Sequence, residues 1–430
     1  MNRSVYKALR ACASPFVNAY SSLAGAHALN IMEKTMKRQR KAGPIRVVFL
    51  AQYLQAWNKI DPVYQAMLDS PSFEPYIVCV PLNIKAHRLQ GATSGGNEIY
   101  DYYCSHGYEA INSLDADGRW FDIQKLNPDY VFHSRPYNSF MPKQYTSGTI
   151  AKYAQVCSIM YGASWTDNFT DVAYNDNYFR YVSLYFAEDA WSAGTFEKRF
   201  KKGVSRGLQK SVTVGMPVLE NIVSLESRST GAWDNLRDGV RVMWTPRWST
   251  DEEIGGSHFL EYKDWFFSYA ERHPEMSFVF RPHPLMFDNF IATGQMSREE
   301  VDTFKKRCKD LENTYLDEQM EYLDTLYSSD MLVMDNSSIV LEAFFFGKPI
   351  IYCPHEGANV IPDYEPMAGT FYEAYSSDEV GRCIEHAVCE SADVANRRCA
   401  VIDAMSERMV WGATRRVLDA LEQNVAVTQA

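Results

Sequence analysis

The chain has 430 residues, 46% of them hydrophobic and 14% aromatic, which is enough for two or three separately cored domains and leaves no place for low-complexity or repeat architecture. Its net charge of −11 hides an asymmetry: residues 1–46 carry nine Lys/Arg against Glu33 alone, +8, which leaves −19 on the rest. The acidic body excludes nucleic acid as the main partner, and the nine cysteines, with no CxxC pair, exclude a disulfide framework or zinc ribbon and suit a reducing compartment.

Ala11 to Met32 holds no charged residue, and Val17, Tyr20, Ala24, Ala28 and Ile31 recur at helical spacing. It is too polar for a membrane span and lacks the apolar centre of a signal peptide. The segment reads as an amphipathic helix on an anionic membrane face, aided by the cluster from Lys34 to Lys41; a helix packed on the protein body or on a second subunit is the alternative.

Ile45 to Ala51 is the first strand, followed by a helix over Ile60–Leu68 and strands at Tyr76–Val80, Asp129–His133, Gln155–Met160, Tyr181–Phe186 and Val212–Val214, with a loop marked by Gly91, Gly95 and Gly96. Residues 216–238 read as a linker with one short helix. A second series begins with Val240–Trp244, a helix over Leu260–Ala270 and a strand at Met276–Phe280. Helical segments near Asp378–Cys389 and Ala395–Leu421 close the chain, the last with Ile402, Met405, Met409, Ala413, Val417 and Leu421 on one face. Strands alternating with helices predict two α/β halves, each a parallel sheet covered on both faces, with a cleft between them.

Ser328 to Pro354 is the most informative stretch. Met331–Met334 reads as a buried strand, Asp335-Asn336-Ser337-Ser338 as a turn at a helix start, Ile339–Phe346 as a short helix closed by Gly347, and Pro349–Tyr352 as the next strand. Two small hydroxyls at a helix N-terminus suit an anion such as phosphate, and Glu342, one turn on, suits ribose hydroxyls; a plain capped helix with a solvent-facing glutamate is the bland reading. Arg281-Pro282-His283-Pro284 leaves a strand rigidly and directs Arg281 and His283 toward a phosphate or its leaving group, or else makes a surface turn with a salt bridge. Pro246-Arg247-Trp248 also follows a strand; Arg247 suits phosphate, and Trp248 packs or stacks. Gly255-Gly256-Ser257 suits an anion-cradling backbone nest. His133 and His258 are candidate bases, and no HxxxH, HExxH or P-loop pattern calls for a metal.

With these residues in view, the chain resembles the CDP-glycerol glycerophosphotransferase family, which includes the teichoic acid polymerases, over roughly residues 125–360. DNSSIVLEAFFFGKPII, FVFRPHP, WTPRW and LNPDYVFHSRPYNS with VCSIMYG carry the resemblance. Asp335, Ser337-Ser338 and Pro349 keep the family spacing, Glu342 stands where Asp is usual, and His283 matches the His of Arg-x-His-Pro. Pro246 and Trp248 match Ala-Pro-Thr-Trp-Arg, with Ser249 in place of the final Arg and Arg247 as its substitute. The family's Trp-His-Gly-Thr corresponds to Met160-Tyr161-Gly162-Ala163-Ser164, which has no His; some capsule-associated members share this variant.

The resemblance implies a GT-B architecture: two Rossmann-like domains facing a central cleft, at 45–215 (acceptor) and 239–390 (nucleotide), with a C-terminal helix at 391–430 that packs back on the first domain; the composition adds a basic amphipathic helix at 1–44. It implies a CDP-activated polyol as donor, a lipid-linked or glycan hydroxyl as acceptor and CMP as product; with no metal motif read, no metal or other cofactor is expected, and the basic N-terminal helix suggests a cytoplasmic enzyme peripheral to the membrane, its oligomeric state open. Asn336, Ser337, Ser338, Arg247, Pro246, Gly256 and Ser257 would hold the nucleotide and its phosphates, Glu342 the ribose; His283 and Arg281 would stabilise leaving charge, with His133 as base. The alternatives are a nucleotide-sugar-dependent glycosyltransferase of capsule or cell-wall synthesis and a catalytically inert membrane-associated scaffold.

Overall fold

The computed structural model describes residues 22–52, 54–81, 97–160, 162, 164–223, 230–251, 256–319, 322–355 and 357–429. Gly91, Gly95, Gly96, Tyr161, Gly255 and the part of the N-terminal segment before residue 22 lie outside them.

The apolar runs become strands buried on both faces. In the N-terminal half, β1 (Ile45–Ala51), β2 (Phe73–Cys79), β3 (Ala110–Asn112), β4 (Tyr130–His133), β5 (Gln155–Ile159), β6 (Val182–Ala187) and β7 (Lys210–Thr213) pair in the order β3-β2-β1-β4-β5-β6-β7, all parallel. In the C-terminal half, β8 (Val240–Thr245), β9 (Met276–Phe280), β10 (Thr314–Leu316), β11 (Met331–Met334), β12 (Ile350–Tyr352) and β13 (Tyr372–Glu373) pair as β10-β9-β8-β11-β12-β13, again all parallel. Each order reverses around its first strand, so each half is a doubly wound Rossmann-like sheet with a switch point beside β1 or β8.

Alternate residues along a strand feed separate cores. Val47, Phe49 and Ala51 pack with Phe132 and Phe186 on one side of β1, while Val48 and Leu50 pack with Val131 and Tyr185 on the other. The same split separates Met243, Leu332 and Met334 from Val242, Trp244 and Val333 in the second sheet. Fully burying each such side chain contributes on the order of 1.5–3 kcal/mol, and this explains why neither sheet shows a polar face.

Two expectations change. The segment read as one helix over Ala395–Leu421 forms two, Ala392–Met409 and Ala413–Gln429, broken where Gly412 takes a φ of +76°. The apolar stripe survives the break but changes partner: Met405 and Met409 enter the core of the C-terminal half, and Val417 and Leu421 that of the N-terminal half. The second correction concerns the N-terminal helix. Residues 22–36 are helical, but Ala28, Leu29 and Met32 are buried on the N-terminal half. Thr35 Oγ1 donates to the Ala151 carbonyl at 2.6 Å and Arg206 pairs with Glu33 at 2.5 Å. The apolar face of this described helix is therefore spent on the protein body, the alternative to a membrane face. No described helix is long and apolar enough to cross a membrane.

Where the chain end crosses between halves, the Met216 N–H donates to the Met409 carbonyl at 2.7 Å. Gly215 stands there at φ +82°, and a Cβ on it would lie 2.5 Å from the Met409 oxygen. Gly215→Ala therefore combines a left-handed backbone with a clash against main chain, and is expected to cost about 2 kcal/mol or more of unfolding free energy in a denaturant titration. Gly207→Ala, at φ +68° with open space around its Cβ, should cost less.

Candidate functional site

The switch point of the second sheet gathers most of the predicted residues. β8, β9 and β11 end side by side, so Pro246-Arg247, Arg281 and Asp335 leave adjacent strand ends. Asp335 is the hub. It is buried, and one of its oxygens accepts the Arg247 N–H at 2.7 Å while the other accepts His258 Nδ1–H at 2.7 Å. Arg247 Nη1 then donates to the Asn336 carbonyl at 2.7 Å. Burial disfavours the His258 cation, but the hydrogen bond and charge of Asp335 outweigh it and raise the pKa of the ring.

His283 lies beside this hub. Burial, with the Arg247 charge nearby, pushes its pKa down to about 3. It is thus neutral, and because its Nδ1 accepts the Leu285 N–H at 3.1 Å, the ring proton sits on Nε2. A neutral imidazole donating from Nε2 suits a phosphate oxygen or a developing oxyanion. Ser337 is half-buried and Ser338 exposed, and neither side chain caps the following helix, Val340–Phe345, whose N-cap is Ile339. The capped-helix reading is thereby removed and both hydroxyls stay available at the cleft. Ser257 is nearly buried and uses its Oγ to accept the Phe259 N–H at 3.2 Å. Gly256 adopts φ +41° against the His355 ring, which leaves no room for a side chain. Trp248 packs partly buried against the core of this half, as most such tryptophans do.

Three predicted residues are placed differently. Arg281 does not point at the cleft as a free cation. Its guanidinium pairs with the buried Asp317 at 2.5 Å, donates to the Gln319 carbonyl at 2.7 Å and lies 5.5 Å over the Tyr322 ring. His133 is a buried core histidine: it donates from Nε2 to the Tyr145 carbonyl at 2.7 Å, its other nitrogen faces the Tyr178 hydroxyl at 3.4 Å, and burial lowers its pKa to about 4. No acceptor hydroxyl reaches it there. Glu342 is neither solvent-facing nor open to a ribose. It is 1% exposed, and its Oε1 accepts from Lys59 of the N-terminal half and from Tyr322 at 3.0 Å.

Lys59 belongs to a contact between halves that sequence reading missed. Trp165, at the loop after β5, is buried in the core of the C-terminal half, 4.9 Å from Tyr352. Its carbonyl accepts the Ile361 N–H at 2.9 Å, Asp167 and Asn359 exchange further bonds, and Asn336 donates to Thr166 and Asn168. Gly162 closes on Ser338 so tightly that a Cβ would lie 3.1 Å from its Oγ. Gly162, from the stretch that replaces Trp-His-Gly-Thr, thus lies directly against Ser338 of the other half.

Glu188 was missed as well. It follows β6 at the C-terminal sheet edge, is 4% exposed, and accepts the Tyr185 hydroxyl at 3.0 Å through Oε2, while Oε1 has no partner among the described residues. Burial and the neighbouring Asp189 raise its pKa to about 8. An acid pair directly after an apolar strand was the available signal. A carboxyl that holds its proton more tightly when folded contributes stability at low pH and loses it as pH rises from about 5 to 8, by at most about 1.4 kcal/mol per pH unit. Melting temperature should therefore fall over that window, and Glu188→Gln should flatten the fall.

No protein-family model matches the chain, and no curated protein sequence matches it. Solved structures do. The chain superposes on a putative UDP-N-acetylglucosamine 2-epimerase from Listeria monocytogenes with TM-score 0.59 at 12% identity, over 90% of this chain and 98% of that one. It is similar also to UDP-GlcNAc 2-epimerase from Neisseria meningitidis bound to UDP-GlcNAc, with TM-score 0.58, 13% identity and coverage of 88% and 100%. A glycosyltransferase from Rickettsia africae gives TM-score 0.52 at 11% identity over 89% and 99%. With two Rossmann-like sheets meeting at their C-terminal edges, the chain has the GT-B fold.

Proposed function

We propose that this protein is a transferase that takes a nucleoside-diphosphate-activated donor, of the nucleotide-sugar class, in the C-terminal half and passes its activated group to a hydroxyl presented by the N-terminal half. The observation that carries this reading is the meeting of Arg247, the Nε2–H of His283 and the uncapped Ser337 and Ser338 at one sheet edge, directly opposite Gly162 of the other half. That edge offers one fixed cation, neutral donors and small hydroxyls, which is the chemistry a diphosphate needs. The UDP-GlcNAc held by the Neisseria protein on the same fold supports a sugar as the activated group. The acceptor oxygen would attack the anomeric carbon, the bond from that carbon to the diphosphate oxygen would break, and the nucleoside diphosphate would leave with its electrons.

A second reading keeps the same site. In a CDP-glycerol glycerophosphotransferase the hydroxyl attacks the β-phosphorus of a CDP-polyol and CMP leaves. It is favoured by Arg281-Pro282-His283-Pro284 at the end of β9 and by the position of Gly162 against Ser338, where the corresponding motif of that family would stand.

Thermal-shift titration with UDP, GDP, CDP and CMP separates them. A ligand that binds only the folded state at a hundredfold over its dissociation constant stabilises by about 2.7 kcal/mol. Stabilisation by UDP or GDP, weakened at least severalfold in Ser338→Ala/His283→Ala, is the expected result. Preference for CDP and CMP moves the assignment to polyol phosphate transfer, and no response to any of them overturns the site. Arg281→Ala should instead act through folding: it strands buried Asp317, at a cost of roughly 3–5 kcal/mol in chemical denaturation.

A further inference from the structure

Lys59 and Glu342 are separated by 283 positions and belong to opposite halves, yet both are buried and paired. Burial opposes the Lys59 ammonium, and Glu342 outweighs it and keeps the amine charged. Glu342 sits one turn past Ser338, on the donor side of the cleft, where a carboxylate suits a ribose diol. Its acceptor capacity is unevenly used: Lys59 and Tyr322 both bond Oε1, while Oε2, buried, has no partner among the described residues. A pair kept only for architecture tends to fill such an oxygen. Lys59 also backs on to a water-sized cavity of about 10 Å³ that it shares with Met160, Met216 and Glu188. Glu188 also lines it, and its Oε1 likewise has no partner among the described residues. One lysine therefore bonds an acid of the opposite half and shares a cavity with a second acid of its own half, each acid with an oxygen unfilled among the described residues.

We infer that Lys59 is a gate on donor binding: in the donor-free protein it occupies Glu342, and the ribose diol of a nucleoside-diphosphate donor displaces it toward Glu188. The inference rests on the nucleotide reading above. The buried carboxylate cannot be reached while the halves are latched through Lys59, so a donor binds only the fraction of molecules in which the pair is broken. Its apparent affinity is reduced by that fraction. Once displaced, the ammonium need not return to water, because Glu188 already flanks the cavity on its own half.

The test is isothermal titration of UDP and 2′,3′-dideoxy-UDP (the CDP pair if cytidine nucleotides give the larger thermal shift) into wild type, Lys59→Met and Lys59→Met/Glu342→Gln. Lys59→Met is expected to bind the ribonucleotide about tenfold more tightly and the dideoxy analogue as wild type does. The double variant should lose the gain, with the two ligands binding alike. Should Lys59→Met fail to fold, Lys59→Gln, which replaces the charged hold on Glu342 by a weaker neutral hydrogen bond, takes its place with a smaller gain expected for the ribonucleotide and none for the dideoxy analogue. Equal changes for both ligands, or no change for either, overturn the gate while leaving nucleotide binding intact. Absence of nucleoside-diphosphate binding by wild type overturns instead the reading on which the gate rests.

Discussion

Every described strand pairs in parallel with its neighbours, and that constraint organises the rest. A parallel pair needs a crossover helix, so all strands of a sheet point the same way and all their C-terminal loops lie on one edge. With two such sheets in one chain, chemistry concentrates where the two edges meet. Trp165 fixes that meeting: a tryptophan from the first half occupies the core of the second, and the bridge between Thr166 and Val360 adds main-chain pairing to it. The terminal helices add a second tie, because the stripe that begins at Met405 in one core ends at Leu421 in the other.

Across this junction runs a chain of charges and rings. Buried Asp317 holds Arg281, whose guanidinium lies over the Tyr322 ring; the Tyr322 hydroxyl donates to Glu342, and Glu342 takes Lys59. Arg281 thus supports the site through Tyr322 and needs no contact with a ligand to matter. Low local dielectric strengthens each link and makes each loss costly.

The parts legible in the sequence were those set by local pattern. β1, β9 and β11 fall on their predicted bounds because continuous apolar runs between turn residues admit little else. The hub residues at 246–247 and 335–338 were legible because a parallel sheet puts chemistry at strand ends. What the sequence hid depends on distant partners. Glu342 is one turn past Ser338 on any reading, but nothing local says that Lys59 fills it. Arg281 leaves its strand as expected, yet Asp317, which follows β10 on the neighbouring strand, claims it. His133 at a strand end looked like a base; its strand lies in the centre of the sheet, under Tyr145 and Tyr178, which bury it. The final helix was read as continuous because its stripe is continuous, and only the change of core across Gly412 shows why it must bend.

The serine pair also changes meaning once the helix behind it is measured. Val340–Phe345 spans six residues, less than two turns, with a wholly apolar surface apart from Glu342. So short a helix sums few peptide dipoles, and the charge of a bound diphosphate is poorly met by helix polarity alone. In the proposed reading discrete groups would supply the difference: Arg247 is fixed by its bond to the Asn336 carbonyl, His283 keeps its proton on Nε2, and Asp335 holds Arg247 and His258 in place. A buried acid at the centre of an anion site would repel its ligand if unpaired. Here it is satisfied on both oxygens by donors from the surrounding loops, so its charge is spent on orienting them. In the proposed reading, donor selectivity therefore rests on the loops after β8, β9 and β11 more than on the helix that follows the serines.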